Sequence, residues 1–326
     1  MRDLRLLPKA HLHIHLEGAM RPTTLAELAE RDGTPVPPIS GFGSFSAFAA
    51  MYLTACDVLR HDEDLARLVH EVVDDAAMAG AVWIEPAFYA PHHIQRLGPV
   101  EHVLEVVLDA LAEAAARTGV GTGLIVAADR TAGVEDAMVQ AQMAVRYADR
   151  GVVGFGLAND ESVWPPEPFA DAFRVARDAG LMSVPHAGEL AGPESVIGAL
   201  DALRADRIQH GVRAIEDPDL VKRLADEGTC LDVCPTSNVL LAVVPTLDEH
   251  PLPALLEAGV RCSLNADDPL LFGPGLLQEY ELARDDLGLD DLQLAAIARS
   301  SIAASGAGDD LKSTALAGID AWLDIR

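Results

Sequence analysis

Residues 8–18 of the chain read PKAHLHIHLEG, a short apolar strand in which histidine fills alternate positions just before a Glu-Gly turn. Successive side chains of a β-strand point to opposite faces, so the pattern predicts that His11, His13 and His15 project the same way. Neighbouring rings of that row stand about 7 Å apart along the strand. A twisted strand end can bring two of them onto one metal ion, and neutral imidazole is a common zinc ligand. A metal site is therefore favoured over a histidine-rich stretch without a ligand, because each buried ring would otherwise need its own hydrogen-bond partner.

Short β-like runs alternate with longer helical stretches along the rest of the chain. Residues 100–118 are rich in Ala, Leu and Glu, and residues 217–227 begin with Asp-Pro and end before Gly228. Strands buried on both faces and joined by helical crossovers form a parallel sheet, and eight such units close into an α/β fold, the (β/α)8 TIM barrel. The eight β-like runs are residues 10–16, 82–88, 121–128, 152–158, 182–186, 207–212, 229–234 and 261–266.

The length of the chain fits this architecture. Such barrels run from about 200 to over 400 residues, and this chain has 326. Residues 21–61 are longer than one crossover and are predicted to add helices over the C-terminal mouth of the barrel. Because no internal repeat, low-complexity tract or linker divides the sequence, one domain over residues 1–326 is expected.

Charge and apolar content limit the partners. The formal net charge of −27 argues against nucleic acid, since phosphate binding needs a cationic face. The first residues lack the charged-then-apolar pattern of a secretory signal. The most apolar helical stretch, residues 45–59, is too short to span a bilayer. A cytoplasmic protein that binds no membrane is therefore expected, and its oligomeric state is left open.

The four cysteines do not form a disulfide framework, because they are too few and too scattered for one. Cys230 and Cys234 could be half of a zinc site. They lie on an apolar run, however, and are interpreted as small core residues.

Polar residues cluster just after three of the predicted strands. Residues 186–189 read HAGE, residues 210–211 read HG, and residues 265–269 read NADDP. In a barrel of this type the C-terminal strand ends carry the catalytic groups. Histidines and a carboxylate meeting there suit Zn²⁺ with one position open to water. Each motif taken alone could equally be a turn or a helix entry, but their joint position favours a metal centre with further acid–base groups beside it.

The chain resembles the adenosine deaminase family of the amidohydrolase superfamily. The resemblance is carried, in family order, by KAHLHIHLEG at residues 9–18, HAGE at 186–189, RIQHG at 207–211, CPTSN at 234–238 and SLNADDP at 263–269. It implies one Zn²⁺ per chain, held by His13, His15, His186 and Asp267. His11 is left out, because relatives usually have an acidic residue there.

The resemblance also implies the catalytic and substrate-binding residues. Glu189 corresponds to the proton donor, His210 to the base that orients water, and Asp267 acts with them as a third catalytic group. Substrate contacts are expected from His15, Glu17, Asn159, Gly188 and Asp268, the last of these with the imidazole nitrogen of the purine. Together they would add water to C6 of an adenine ring and release ammonia.

The substrate itself is less well determined by the sequence. Relatives that act on adenosine usually carry Asp where this chain has Glu17, and adenine deaminases resemble this chain there. The segments CPTSN and DDPLLF are of the nucleoside type, so adenosine or a related adenine nucleoside is predicted. Adenine, aminodeoxyfutalosine and 5′-methylthioadenosine are the alternatives.

Other classes of function are less well supported. Zinc deaminases that act on nucleic acid carry a His-x-Glu followed by a Pro-Cys-x-x-Cys signature, and the sequence has no Pro-Cys-x-x-Cys. Ester and amide hydrolases of the superfamily commonly use a carboxylated lysine, and after Lys9 no lysine lies near a predicted strand end. A purine-binding barrel without activity is a remote alternative, because every catalytic position is filled.

Overall fold

The computed structural model describes residues 1–325, and its centre is a ring of parallel strands. The strands pair in the order β1-β2-β4-β5-β6-β7-β8-β9, with the short β3 beside β2. The predicted α/β TIM barrel is confirmed. The strands are β1 (Lys9–His15), β2 (Ala81–Phe88), β3 (Gly121–Thr122), β4 (Leu124–Asp129), β5 (Val152–Ala158), β6 (Met182–Ala187), β7 (Arg207–His210), β8 (Cys230–Val233) and β9 (Arg261–Leu264).

One predicted run differs from the observed strand. Residues 121–128, expected as a single strand, form β3 and β4 with Gly123 between them. The N–H of Gly123 donates to the carbonyl of Ile84, and a Cβ at that position would lie 2.6 Å from Cγ2 of Val153. The glycine therefore allows a close approach of β2 and β5 at the point where the strand is interrupted.

Helices surround the barrel and also cover its mouth. The predicted helix over residues 100–118 is observed as α5, and residues 218–227 form α9, which is capped by the Asp217 carboxylate and ends at Gly228 with a φ of 70°. The helices are α1 (Pro22–Arg31), α2 (Phe45–Cys56), α3 (Asp62–Met78), α4 (Ile94–Leu97), α5 (Val100–Thr118), α6 (Val134–Arg146), α7 (Ala170–Asp178), α8 (Pro193–Asp201), α9 (Pro218–Glu227), α10 (Pro235–Leu240), α11 (Leu252–Glu257), α12 (Pro269–Phe272), α13 (Leu276–Asp285), α14 (Asp291–Ala304) and α15 (Asp309–Asp324).

The barrel closes between β1 and the segment after β9. Oδ1 of Asn265 accepts hydrogen bonds from the backbone N–H groups of Leu12 and His13, at 2.7 and 3.0 Å. The N–H of His15 donates to the carbonyl of Asp267, and the N–H of Asp267 donates to the carbonyl of His13. Closure therefore places Asp267 directly beside the two histidines at the end of β1.

A buried ion network fixes the strands below that point. The guanidinium of Arg207 pairs with Glu85 and with Asp232, and all three side chains are fully buried. Oδ1 of Asp232 accepts a hydrogen bond from Ser263 Oγ at 2.7 Å. These contacts join β2, β7, β8 and β9, and they hold the backbone of Asp232 where it meets a histidine of the site.

Within residues 1–325, no helix combines the length and the apolar character that crossing a membrane requires.

Candidate active site

A cavity of about 200 Å³ opens at the C-terminal ends of the strands. Strand-end residues form its floor, and α2 covers one side with Phe45, Phe48 and Tyr52. Of the helices within residues 21–61, α2 therefore lies over the mouth, as predicted. Of the predicted site residues, those that line the cavity are His15, Asn159, His186, Glu189, His210, Asp267 and Asp268.

Two histidines at the floor are oriented by backbone carbonyls. Nδ1 of His13 lies 3.0 Å from the carbonyl oxygen of Asp232, and Nδ1 of His186 lies 3.0 Å from that of Leu157. A carbonyl only accepts, so each Nδ1 carries the proton and each Nε2 presents a lone pair to the cavity. Burial, followed by the neighbouring imidazoles, lowers the pKa of His186 well below its ordinary value and keeps the ring neutral.

Nitrogen and oxygen atoms that could bind a metal lie close together at this floor, and no hydrogen-bond donor from elsewhere in the described part of the chain faces them. Nε2 of His15 lies 3.2 Å from Nε2 of His186, and Oδ1 of Asp267 lies 3.3 Å from Nε2 of both His13 and His15. Nε2 of His13 is buried and has no hydrogen-bond partner. Lone pairs that face one another in a buried space repel, and a cation between them removes that repulsion. The donor set of three imidazoles and a carboxylate fits a divalent metal.

His210 is a fifth group at the same point. His13, His186, His210 and Asp267 each offer a ligand atom within 4.8 Å of the others. The two oxygens of Asp267 face different neighbours: Oδ1 faces the rings of β1, whereas Oδ2 accepts from Ser237 Oγ at 2.7 Å and lies 3.8 Å from His210 Nε2. His210 therefore faces Oδ2 of the carboxylate, and its ring also packs against that of His13, with the ring centroids 4.4 Å apart.

Three site residues have backbone conformations that favour glycine. His210, Asp267 and Asn159 have φ values of 64°, 59° and 79°. A left-handed conformation costs free energy in a residue with a side chain, and such residues concentrate at functional sites. The surrounding hydrogen bonds hold these three side chains at the rim of the barrel.

Glu189 is the acidic group next to His210. Its side chain is buried, with Oε1 3.4 Å from His210 Nε2. Burial, and then the nearby carboxylates of Asp267, Glu161 and Asp268, raise the pKa of Glu189 well above its ordinary range. The raised pKa favours the protonated form of Glu189, which is the form that a proton donor needs.

A buried carboxylate that the sequence did not single out holds the loop of Glu189. Glu161 accepts hydrogen bonds from the backbone N–H groups of Gly188, Glu189 and Ala191, at 3.0, 2.5 and 3.0 Å, and from Ser195 Oγ at 2.5 Å. These four donors fix the backbone on which Glu189 is placed. A buried acid two residues after Asn159 was the available signal, but the sequence does not show which loop it contacts.

Asp268 faces the cavity without a protein donor on one oxygen. Its Oδ1 is buried and unpartnered, and a Cβ at Gly18 would lie 1.6 Å from that atom, so only glycine leaves room for the carboxylate. Burial and the charge of Asp267 raise the pKa of Asp268 well above its ordinary value. Asp268 can therefore donate a hydrogen bond to a ligand nitrogen.

Two expected substrate contacts are not among the cavity-lining residues. The carboxylate of Glu17 is buried behind the wall, where Oε2 accepts from the Tyr52 hydroxyl at 2.8 Å and Oε1 pairs with His93 Nε2 at 2.7 Å. Its side chain is therefore already satisfied by protein groups. Gly188 lies behind the wall against Val196, whose Cγ2 would be 2.4 Å from a Cβ at that position.

The expectation that three histidines project together is wrong for the first of them. Nε2 of His11 accepts a hydrogen bond from the N–H of Ala266 at 3.3 Å, and His11 lines a separate cavity together with Ile14. The pairing of β1 with β2 shifts register between His11 and Ile14. This irregularity turns the first ring away from the pair formed by His13 and His15.

Comparisons with known proteins agree with the geometry. The adenosine deaminase family model matches residues 8–322. A putative adenosine/adenine deaminase of Streptomyces coelicolor is 46% identical, over 99% of this chain and 98% of that protein. The crystal structure of an adenine deaminase from Arthrobacter aurescens superposes with a TM-score of 0.92 at 32% identity, covering 98% of this chain and 99% of that one.

A third similar protein carries a metal. The crystal structure of an amidohydrolase from Burkholderia ambifaria contains bound Zn and superposes with a TM-score of 0.89 at 27% identity, covering 99% of this chain and 93% of that one. The matched family is metal-dependent, and the group of histidines around Asp267 could hold a metal ion.

Proposed function

The chain belongs to the adenosine deaminase family of hydrolytic deaminases in the amidohydrolase superfamily, and we propose that it converts adenine to hypoxanthine and ammonia with one Zn²⁺ per chain. One observation carries the proposal: a crowded set of imidazole nitrogens and a carboxylate shares a cavity with the buried acid Glu189, whose pKa is raised. The imidazole and carboxylate set offers a position for a metal, and Glu189 beside it offers a proton donor.

The metal is proposed to be held by His13, His15, His186 and Asp267. A Zn²⁺ held there would lower the pKa of a water from about 15.7 to about 7 and so would supply a nucleophile at neutral pH. His210 and Asp267 Oδ2 face this point from the other side, where they can orient the water and accept its proton.

Two further acids act on the purine ring. Attack of water oxygen at C6 places negative charge on N1, and Glu189 is proposed to protonate N1 at that stage. The proton taken from the water then passes to the 6-amino group, the C6–N bond breaks with release of ammonia, and the hydroxyl proton left at C6 returns to Glu189 as the ring regains its aromaticity. Asp268 is proposed to donate to a nitrogen of the imidazole half of the purine, because its buried Oδ1 has no partner in the protein.

The free base is proposed in preference to the nucleoside predicted from the sequence. A ribose needs hydrogen-bond partners, but the carboxylate of Glu17 behind the cavity wall and that of Asp129 in the wall are already engaged. Glu17 is held by Tyr52 and His93, and Asp129 accepts from the N–H and the hydroxyl of Thr131 and from Asn159 Nδ2. Much of the remaining wall consists of alanine and aromatic side chains.

Phosphorylated substrates fit less well still. Among the described residues that line the cavity, none is lysine or arginine, and phosphate recognition generally uses such cations. The name of the adenine deaminase from Arthrobacter aurescens supports the same choice. Adenosine is the second candidate, because the segments CPTSN and DDPLLF resemble those of nucleoside deaminases.

A substrate panel tests the proposal. We expect kcat/KM for adenine to exceed that for adenosine, 2′-deoxyadenosine, 5′-methylthioadenosine and aminodeoxyfutalosine by at least about tenfold, since a site whose nearby carboxylates are already hydrogen-bonded gains little from the sugar. A nucleoside that outperforms adenine would restore the prediction made from the sequence. Failure of the zinc-loaded protein to deaminate any of the five would refute the proposed function.

A further inference from the structure

A line of buried hydrogen bonds runs away from the cavity behind His210. The backbone N–H of Leu252 lies 3.1 Å from Nδ1 of His250, and Nε2 of His250 lies 3.2 Å from Oδ1 of Asn238. Nδ2 of Asn238 lies 3.1 Å from Nδ1 of His210. The three side chains of this line are buried, at 4%, 0% and 1% exposure for His250, Asn238 and His210, so water does not compete for their bonds.

The donor and the acceptor of each hydrogen bond in this line can be assigned by starting from the backbone N–H of Leu252. A backbone N–H can only donate, so Nδ1 of His250 is an acceptor and the ring carries its proton on Nε2. Burial lowers the pKa of His250 to about 4, which agrees with a neutral ring. The Nε2–H of His250 then requires an oxygen from Asn238, and this orientation turns the amide N–H of Asn238 toward His210. Nδ1 of His210 is therefore an acceptor as well.

We propose that His250 is a positioning residue that acts through Asn238 to hold His210 in the tautomer with its proton on Nε2. The inference rests on the proposed function, because it assigns a role within the same site. His210 Nε2–H faces two acceptors, Glu189 Oε1 at 3.4 Å and Asp267 Oδ2 at 3.8 Å. In this tautomer His210 donates a hydrogen bond to the attacking water, so Asp267 Oδ2 is left to accept the proton.

Three histidines of the cluster differ in the group that faces Nδ1. His13 and His186 have carbonyl oxygens at Nδ1, so their Nε2 lone pairs are available to a metal. His210 has an amide N–H at Nδ1 instead, so its Nε2 is protonated and cannot be a ligand. The partner at Nδ1 thus distinguishes metal ligands from the water-orienting ring.

The tautomer is measured directly by NMR on zinc-loaded protein labelled with ¹⁵N-histidine, without substrate. His210 is assigned by the resonance that disappears in His210→Gln. We expect the chemical shift of a protonated Nε2 and an unprotonated Nδ1. A protonated Nδ1 in the unaltered protein would overturn the proposal.

Two substitutions at the far end of the line test the action of His250. His250→Leu removes the donor to Asn238, so we expect a mixed His210 tautomer and a kcat on adenine reduced about tenfold or more, with KM within about twofold and zinc retained. His250→Gln keeps an N–H for Asn238 Oδ1 and is expected to preserve the tautomer and kcat. An unchanged tautomer and kcat in His250→Leu would contradict the proposal.

A second variant keeps the test decisive if His250→Leu does not fold. Asn238→Asp replaces the donor by a carboxylate, so His210 is expected to move its proton to Nδ1, and an unchanged spectrum would count against the proposal. Failure of the proposed function has a different signature. It appears as absent turnover of every 6-aminopurine, whereas the NMR spectrum reports the tautomer regardless of turnover.

Discussion

Replacing Glu189 by glutamine removes the acidic proton of the side chain and leaves its size and its surroundings nearly unchanged. The amide has nearly the same size, the backbone N–H remains bonded to Glu161, and Glu189 is outside the proposed ligand set. The side chain is 5% exposed, so bulk water cannot deliver the missing proton to N1. Loss of a general acid costs at least about 10² in rate, or about 2.7 kcal/mol in activation free energy. We therefore expect Glu189→Gln to lower kcat on adenine at least about 100-fold.

The assay follows the change in purine absorbance as adenine becomes hypoxanthine, and metal analysis is done on the same samples. Zinc content and thermal unfolding should match those of the unaltered protein. Glu281→Gln, on an exposed position of α13, is the matched control and should leave kcat unchanged. A Glu189→Gln protein with normal zinc and a kcat within about fivefold of the unaltered value would show that another group protonates N1.

Three further outcomes are expected. His186→Ala should lose bound zinc and His210→Ala should keep it, as measured by metal analysis after dialysis; the reverse pattern would exchange their roles. Because Glu189 acts while protonated and its pKa is raised, kcat should be constant below that pKa and fall above it. A kcat that rises with pH over that range would assign the proton donor to another group. Arg207→Leu leaves two buried carboxylates unpaired, so urea unfolding should show a loss of about 3–5 kcal/mol, and a loss under 1 kcal/mol would mean that the network contributes little.

Much of the barrel and its strand ends could be predicted because both are local features of the sequence. An alternation of apolar runs and helical stretches is enough to predict a parallel barrel, and polar residues directly after a strand must lie at its C-terminal edge. His186, His210 and Asp267 come together for this reason, although up to 81 residues separate them in the chain. The assignment of roles within that group remains a prediction.

Features that depend on packing between distant segments could not be predicted. The turn of His11 away from its neighbours follows from a register shift against β2, which no pattern within residues 8–18 reveals. Glu17 was expected at the substrate because it follows the strand end, but Tyr52 and His93 come from other segments and enclose it. His250 lies in a loop without any motif, and only the fold places it behind Asn238.

Ammonia release from adenine by metal-free protein, measured as Zn²⁺ is added back, tests most directly whether this site is a mononuclear deaminase centre. A chelator-treated sample should be inactive, and activity should rise in proportion to zinc and level off at one equivalent per chain, with one ammonia formed for each hypoxanthine. Full activity before zinc is added, or a plateau only at two equivalents, would contradict the centre formed by His13, His15, His186 and Asp267.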